Sequence, residues 1–211
     1  MRIGLFGGSF DPPHLAHLIH AERCREEAQL DEVWFLPAYR PPHKLDKPIS
    51  RFETRCEMVE LAVAGSPHFR VERIERELPP PSYTVETLRE LRQRHPGHAF
   101  DLVIGGDSLR DFPTWHEPAR ILEQAGLIVV ARPDINLISD HELALMVNVP
   151  VETVRLTIVH SPLLELSSSN LRDRSRAGRT IRYLTPRAVE EYIREKGIYA
   201  EHCTTIRPAR A

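Results

Sequence analysis

Cysteine is scarce in this chain: Cys24, Cys56 and Cys203 lie far apart and form no CxxC pair. An odd number so spaced argues against a disulfide framework and for a reducing compartment, so a cytoplasmic location is expected. Long hydrophobic runs are missing as well. No stretch reaches the ~18 apolar residues of a membrane span, and the first residues lead into an apolar strand rather than a basic, cleavable leader. Charge of one sign is also lacking: 28 Lys and Arg stand against 30 Asp and Glu, a formal net charge of −2. Such a balance argues against nucleic acid or a membrane as partner. Neither GxGxxG nor GxxxxGK[ST] occurs, so neither a simple dehydrogenase nor a P-loop kinase is supported. No internal repeat, low-complexity tract or interdomain linker is present. What remains, at 211 residues and 41% hydrophobic content, is enough for one well-buried domain.

The elements alternate. Ile3–Phe6 reads as a buried strand, residues 14–28 as a helix and Val33–Leu36 as a second strand, a βαβ unit with parallel strands. Ser50 and Glu53 predict a capping box for a helix through Ala64. Phe69–Ile74 predicts a strand nearer an edge, residues 85–94 a helix, and Phe100–Ile104 a strand followed by Gly105, Gly106 and Asp107. After the Pro113–His116 turn a helix runs to Ala125, with Gly126 as its stop, and residues 127–131 form a further strand. Residues 134–153 are less clear, with a helix over 139–147, and 154–159 reads as a strand. Ser167 or Ser168 caps a helix ending near Gly178. Thr185 with Pro186 predicts an N-cap followed by proline at the first helical position, in a helix closed by Gly197. The fold class is therefore α/β, a doubly wound, mainly parallel sheet with helices on both faces. A single domain spans residues 1–200, its C-terminal helical part starts at about residue 167, and residues 201–211 form a tail. In such sheets ligands sit beyond the carboxyl ends of the strands, so the turns at Gly7-Gly8, Pro37-Ala38, Gly105–Asp107 and Arg132-Pro133 should face one crevice.

Several residue groups carry chemistry. Gly7, Gly8 and Ser9 end the first strand, and His14 and His17 open the next helix, where free N–H groups and the dipole favour an anion. Glycine there allows a sharp bend and close approach of a ligand. Imidazoles in that place can donate to phosphate oxygens; on a helix surface they would be mere caps, and His20, a turn deeper, reads as structural. The three histidines do not make a zinc site, since no cysteine or carboxylate cluster accompanies them. Ser167, Ser168 and Ser169 with Arg172 form either plain caps or a phosphate clamp. Trp115 is either core or a platform for a planar heterocycle, with Asp107 placed to accept from a ribose hydroxyl. Lys44 sits in a proline-rich loop, Pro37–Pro48, that makes a plausible substrate loop.

The stretch Gly7-Gly8-Ser9-Phe10-Asp11-Pro12-Pro13-His14-Leu15-Ala16-His17 resembles the nucleotidyltransferase signature GG[ST]FDP followed by HxGH. Leu166–Arg172 resembles the second signature, ISSTxIR. With Pro41–Lys44, Pro81–Thr84, Gly105–Ser108, Pro113–Trp115 and the Tyr183–Tyr199 tail, nearly the whole chain resembles the bacterial nicotinate-nucleotide adenylyltransferase family. Two departures are Ala16 in place of glycine and Ser169 in place of threonine.

The resemblance implies a Rossmann-like fold and adenylyl transfer from ATP to nicotinate mononucleotide in NAD biosynthesis, giving nicotinate adenine dinucleotide and pyrophosphate. His14, His17 and Arg172 would be catalytic. Gly7, Gly8, Ser9, Phe10, Ser167 and Ser168 would join them around ATP. Lys44, Ser82, Tyr83, Thr84, Gly106, Asp107, Trp115 and Arg132 would serve the mononucleotide. Magnesium is expected through the ATP phosphates and water, without a protein metal site. Monomer and homodimer both stay open, as do a sister transferase acting on phosphopantetheine or nicotinamide mononucleotide and a silent nucleotide-binding module.

Overall fold

The computed structural model describes residues 1–40, 49–131, 137–162 and 164–200. Lys44 and Arg132 lie outside the described residues, as does Cys203.

Six parallel strands are ordered β3-β2-β1-β4-β5-β6: β1 (Arg2–Gly8), β2 (Glu32–Pro37), β3 (Phe69–Val71), β4 (Ala99–Gly105), β5 (Gly126–Ala131) and β6 (Leu156–His160). The order reverses between β1 and β4, whose register places Phe6 opposite Val103. Helices cover both faces, which is why the central strands read as continuous apolar runs rather than alternating ones. On one face α1 (Leu15–Glu27) and α2 (Phe52–Val63) pack over Val33, Phe35, Val103 and Ile128. On the other lie α3 (Thr84–Arg94), α4 (Gly106–Asp111), α5 (Pro118–Gln124) and α6 (Asp140–Val147), over Leu5, Trp34, Leu102 and Leu127. The described residues end with α7 (Ser168–Arg176) and α8 (Arg187–Lys196), which share a small core of Leu171, Val189 and Ile193 with Met58 of α2.

Local chemistry departs from the sequence expectations at several points. Gly7 and Gly8 do not bend; both remain in β1, and the chain turns at Phe10, whose φ is 47°. Gly8 is needed for space, since a Cβ there would meet the Phe10 ring at 2.9 Å. The Ser50–Glu53 capping box does not form: α2 starts at an Arg51 N-cap, the Ser50 N–H donates to Asp11 at 3.1 Å, and Glu53 pairs with Arg76. Thr185 is not an N-cap. Pro186 occupies that place, and the Thr185 hydroxyl donates to the Pro13 carbonyl at 2.7 Å. Gly126 opens β5 instead of ending α5, because a side chain there would collide with the Asp101 carboxylate. β3 stops at Val71, and Ile74–Arg76 forms a 3-10 turn. Ser139 caps α6 through a capping box with Glu142, and Gly197, at φ 62°, closes α8.

Candidate active site

Two cavities adjoin at the carboxyl ends of β1 and β4, where the strand order reverses and a crevice must open. The larger, about 790 Å³, and the smaller, about 400 Å³, share Phe6, Ser9, Ile104 and Gly105 as a common wall.

The smaller cavity is lined by His14, His17 and His20 on one side and Ser167, Ser168, Ser169 and Arg172 on the other. His14 is the N-cap of α1. Its backbone N–H donates to His17 Nδ1 at 3.0 Å, and the two rings stack at 3.6 Å. A neutral imidazole has one donor and one acceptor nitrogen. With Nδ1 accepting, the His17 proton sits on Nε2. The Phe10 ring meets His17 edge-on at 5.0 Å and holds it in place. His14 Nδ1 is buried without a hydrogen-bond partner among the described residues, an arrangement that costs about 1–3 kcal/mol unless a ligand supplies one. Burial lowers the His14 pKa to about 4, with neighbouring His20 pushing the same way. His17 is lowered well below the ordinary histidine value by burial and by both other histidines. Both rings are therefore neutral donors at pH 7. His20, read from its spacing as structural, also lines this cavity, with its Nδ1 2.7 Å from Ser161 Oγ.

The loop between β1 and α1 is tied to the C-terminal helices by consecutive backbone groups. The carbonyl of Asp11 accepts from Arg172 at 2.7 Å, that of Pro12 from the Ser168 hydroxyl at 2.8 Å and that of Pro13 from Thr185, while the Leu15 N–H donates to Leu184 at 3.0 Å. The only proton of the Ser168 hydroxyl is thus directed at Pro12. Arg172 also donates to Ser169, and its five N–H groups leave others for an anion. Ser167 caps α7 by accepting the Asn170 N–H at 3.2 Å. Ala16 is buried, with its methyl group on the cavity wall.

Two buried charged residues that sequence reasoning passed over hold the loops around the cavities. Arg55, 1% exposed, donates to three carbonyls: Ser9 at 2.8 Å, Ala38 at 2.7 Å and Ser50 at 3.0 Å. Asp11, 3% exposed, accepts from Ser50 N–H and from the Tyr199 hydroxyl at 2.5 Å. An arginine inside the apolar face of α2, flanked by Phe52, Cys56 and Val59, was the available sign.

The larger cavity is lined by Gly7, Gly8, Ser82, Tyr83, Thr84 and Trp115, with Glu75, His116 and Glu117. Trp115 is half-buried against Phe112, ring centroids 5.2 Å apart, and Tyr83 stacks on His116 at 4.2 Å. Gly106 and Asp107 lie apart from this lining. Gly106 is buried as the first residue of α4, and the Asp107 side chain is 68% exposed, 3.8 Å from Arg110. No group of three or more potential metal ligands occurs among the described residues.

The profile of the family described as cytidylyltransferase-like matches residues 5–174. The chain is 45% identical over 198 residues to the probable nicotinate-nucleotide adenylyltransferase of Thermomicrobium roseum, covering 94% of this chain and 91% of that one. Its identity with the probable nicotinate-nucleotide adenylyltransferase of Thermus thermophilus is 46% over 201 residues, 94% of this chain and all of the other. The fold is shared with the Plasmodium falciparum nicotinic acid mononucleotide adenylyltransferase complexed with NaAD: TM-score 0.73, 19% identity, 94% of this chain and 97% of that one.

Proposed function

The chain belongs to the nicotinate-nucleotide adenylyltransferases of the cytidylyltransferase-like family, and from that membership we propose that it joins ATP to nicotinate mononucleotide, giving nicotinate adenine dinucleotide and pyrophosphate. The observation that carries this reading is the pair of cavities meeting at Phe6, Ser9, Ile104 and Gly105. A dinucleotide formed from two mononucleotides needs two sites and a junction for its phosphates, and the junction lies where β1 and β4 part.

ATP belongs in the smaller cavity. His17, donating through Nε2–H, and His14 face its phosphates. They stabilise charge that grows at the α-phosphate as pyrophosphate leaves, and Arg172 meets the triphosphate from the opposite side. Gly7, Gly8, Ser9 and Phe10 bring the backbone close at the junction. Nicotinate mononucleotide belongs in the larger cavity, with Trp115 as platform for the pyridine ring. The N–H groups of Thr84 and Val85, which open α3 ahead of the Glu86 and Thr87 bonds to the Tyr83 carbonyl, have no helical acceptor and suit its carboxylate. Ser82 and Tyr83 form the rim. The exposed Asp107 and the buried Gly106 reach the ribose only if α4 moves inward, and Lys44 and Arg132 are proposed for the mononucleotide on resemblance alone. The 5′-phosphate of the mononucleotide attacks the α-phosphorus in line, so the enzyme positions two anions and forms no covalent bond.

Ser168 serves this site by holding the Pro12 carbonyl, and Ser167 by capping α7. The lining of the smaller cavity supplies imidazoles, hydroxyls and a guanidinium but no carboxylate. Such a donor set does not build a cage for magnesium, which prefers charged oxygen and water. The metal therefore belongs to the nucleotide, and no step is assigned to a protein-held ion.

Pyrophosphate release measured with ATP and each of nicotinate mononucleotide, nicotinamide mononucleotide and phosphopantetheine tests the reading. Release with the first at the highest kcat/KM is expected, and release with none, or fastest with phosphopantetheine, would overturn it. Trp115→Ala should weaken the mononucleotide by about tenfold while ATP changes little; equal weakening of both in titrations would remove the stacking role.

A further inference from the structure

One carboxyl group on the wall of the larger cavity has no part in the reaction as assigned above. Glu75 lies in the 3-10 turn after edge strand β3 and lines the cavity beside Ser82, Tyr83 and Thr84. It accepts the Tyr39 N–H at 3.0 Å and the hydroxyl of Ser82. Ser82 also accepts the Arg40 N–H and returns its own N–H to the Arg40 carbonyl, both at 3.2 Å. A serine hydroxyl has one proton to give. Here it goes to Glu75, so the carboxyl group orients Ser82, and Ser82 binds the opening of α3 to the exit of β2.

We propose that Glu75 is a specificity-determining residue for the acceptor: it positions the Ser82–Thr84 rim, and as an ionisable group on the cavity wall it weighs an anionic pyridine acid against the neutral amide. The proposal rests on the assignment of the larger cavity to the acceptor. Several charged and titratable groups surround Glu75. They are Tyr39 and Arg40 beyond β2, Arg55 on α2, Glu72 and Arg76 on its own connection, and His116 and Glu117 across the cavity.

Loss of water around the carboxyl group pushes its pKa up to about 7, against the opposing pull of the Tyr39 N–H, Ser82 and Arg55. Above that pH Glu75 is anionic and repels a bound carboxylate; below it the repulsion is gone. Binding of the acid is therefore linked to proton uptake and weakens as pH rises. The amide carries no such charge. Titration of the 5′-phosphate and of His14 and His17, which line the other cavity, is common to both ligands and cancels in their ratio.

Titration calorimetry of the full chain with nicotinate and with nicotinamide mononucleotide, at about pH 6 and about pH 8.5, reads this directly. The ratio of acid to amide Kd should rise about fivefold over that range. Glu75→Gln, which keeps an acceptor for the Tyr39 N–H, should hold the ratio constant within about twofold. Glu75→Ala should weaken both ligands about tenfold through the rim, with ATP unaffected. A pH-independent ratio in the unaltered protein, or the same rise in Glu75→Gln, overturns the role of Glu75 while the acceptor reading stands. Failure of both mononucleotides to bind overturns that reading and this proposal together.

Discussion

His17 shows how a single hydrogen bond decides chemistry. Its Nδ1 accepts from the backbone of His14, so its remaining proton is presented from Nε2. His17→Ala should lower kcat by about 10²–10³ with the far-ultraviolet circular dichroism unchanged, as removal of a preorganised donor does elsewhere; near-normal turnover would take it out of the reaction. His14 carries a second consequence. Its pKa falls from 6.5 unfolded to about 4 folded, so below pH 6.5 the unfolded chain binds more protons than the folded one. Stability from this group is complete above pH 6.5 and is lost as pH falls toward 4, by about 2 kcal/mol at pH 5. Glu75, with its pKa raised to about 7, adds stability as pH falls over the same range and offsets this loss in the total. The test is therefore differential: the change in urea-unfolding stability from pH 7.5 to 5 should differ by about 2 kcal/mol between His14→Asn and the unaltered protein. No difference would take His14 out of the linkage. Ala16 is a milder case. With its methyl group on the cavity wall and its backbone in α1, Ala16→Gly should cost up to about 1 kcal/mol of stability and alter the KM for ATP only a few-fold.

At the scale of elements, the β1–α1 loop is shaped by its partners more than by its own glycines. Arg55 holds it from α2, and Ser168, Arg172 and Thr185 hold it from the C-terminal helices. Arg55→Met would leave the partly buried carbonyls of Ser9, Ala38 and Ser50 without their donor. It should destabilise the protein by about 3 kcal/mol and raise the KM for ATP, measured by denaturant unfolding and steady-state kinetics. Ser168→Ala removes one such bond and should cost about 1 kcal/mol. If Ser168 instead contacted phosphate alone, stability without ligand would not change. The buried thiols of Cys24 and Cys56, pushed up to about 12 and about 11 by burial, have no place in this chemistry.

For the whole molecule, the two cavities share a wall, and the start of α7 closes the smaller one. A ligand spanning both should stabilise the fold more than either half. At a hundred times its Kd the dinucleotide contributes about 2.7 kcal/mol, a Tm rise of about 5–10 °C for a chain of this size. Thermal unfolding with ATP, mononucleotide and dinucleotide at one equal concentration should rank the dinucleotide first, because contacts in both cavities give it the lowest Kd. Equal shifts at equal concentration would mean that the second cavity adds no affinity.

The sequence alone determined the alternation of strands and helices, the parallel sheet and the two signature segments, because periodicity, helix stops and short motifs are local. It also indicated that the strand ends converge. Tertiary structure decided everything that depends on distant partners. Ser50 and Thr185 look like caps from their neighbours, yet Asp11 and Pro13 claim them. Gly126 looks like a helix stop, yet the space it leaves is for Asp101. Arg55 and Glu75 carry no motif of their own, and Asp11 lies in a signature that does not reveal its partners, since a buried charge is tolerated only where several chain segments supply them. The proton on His17 and the bond from Ser168 to Pro12 likewise arise from contacts that exist only once the chain has folded.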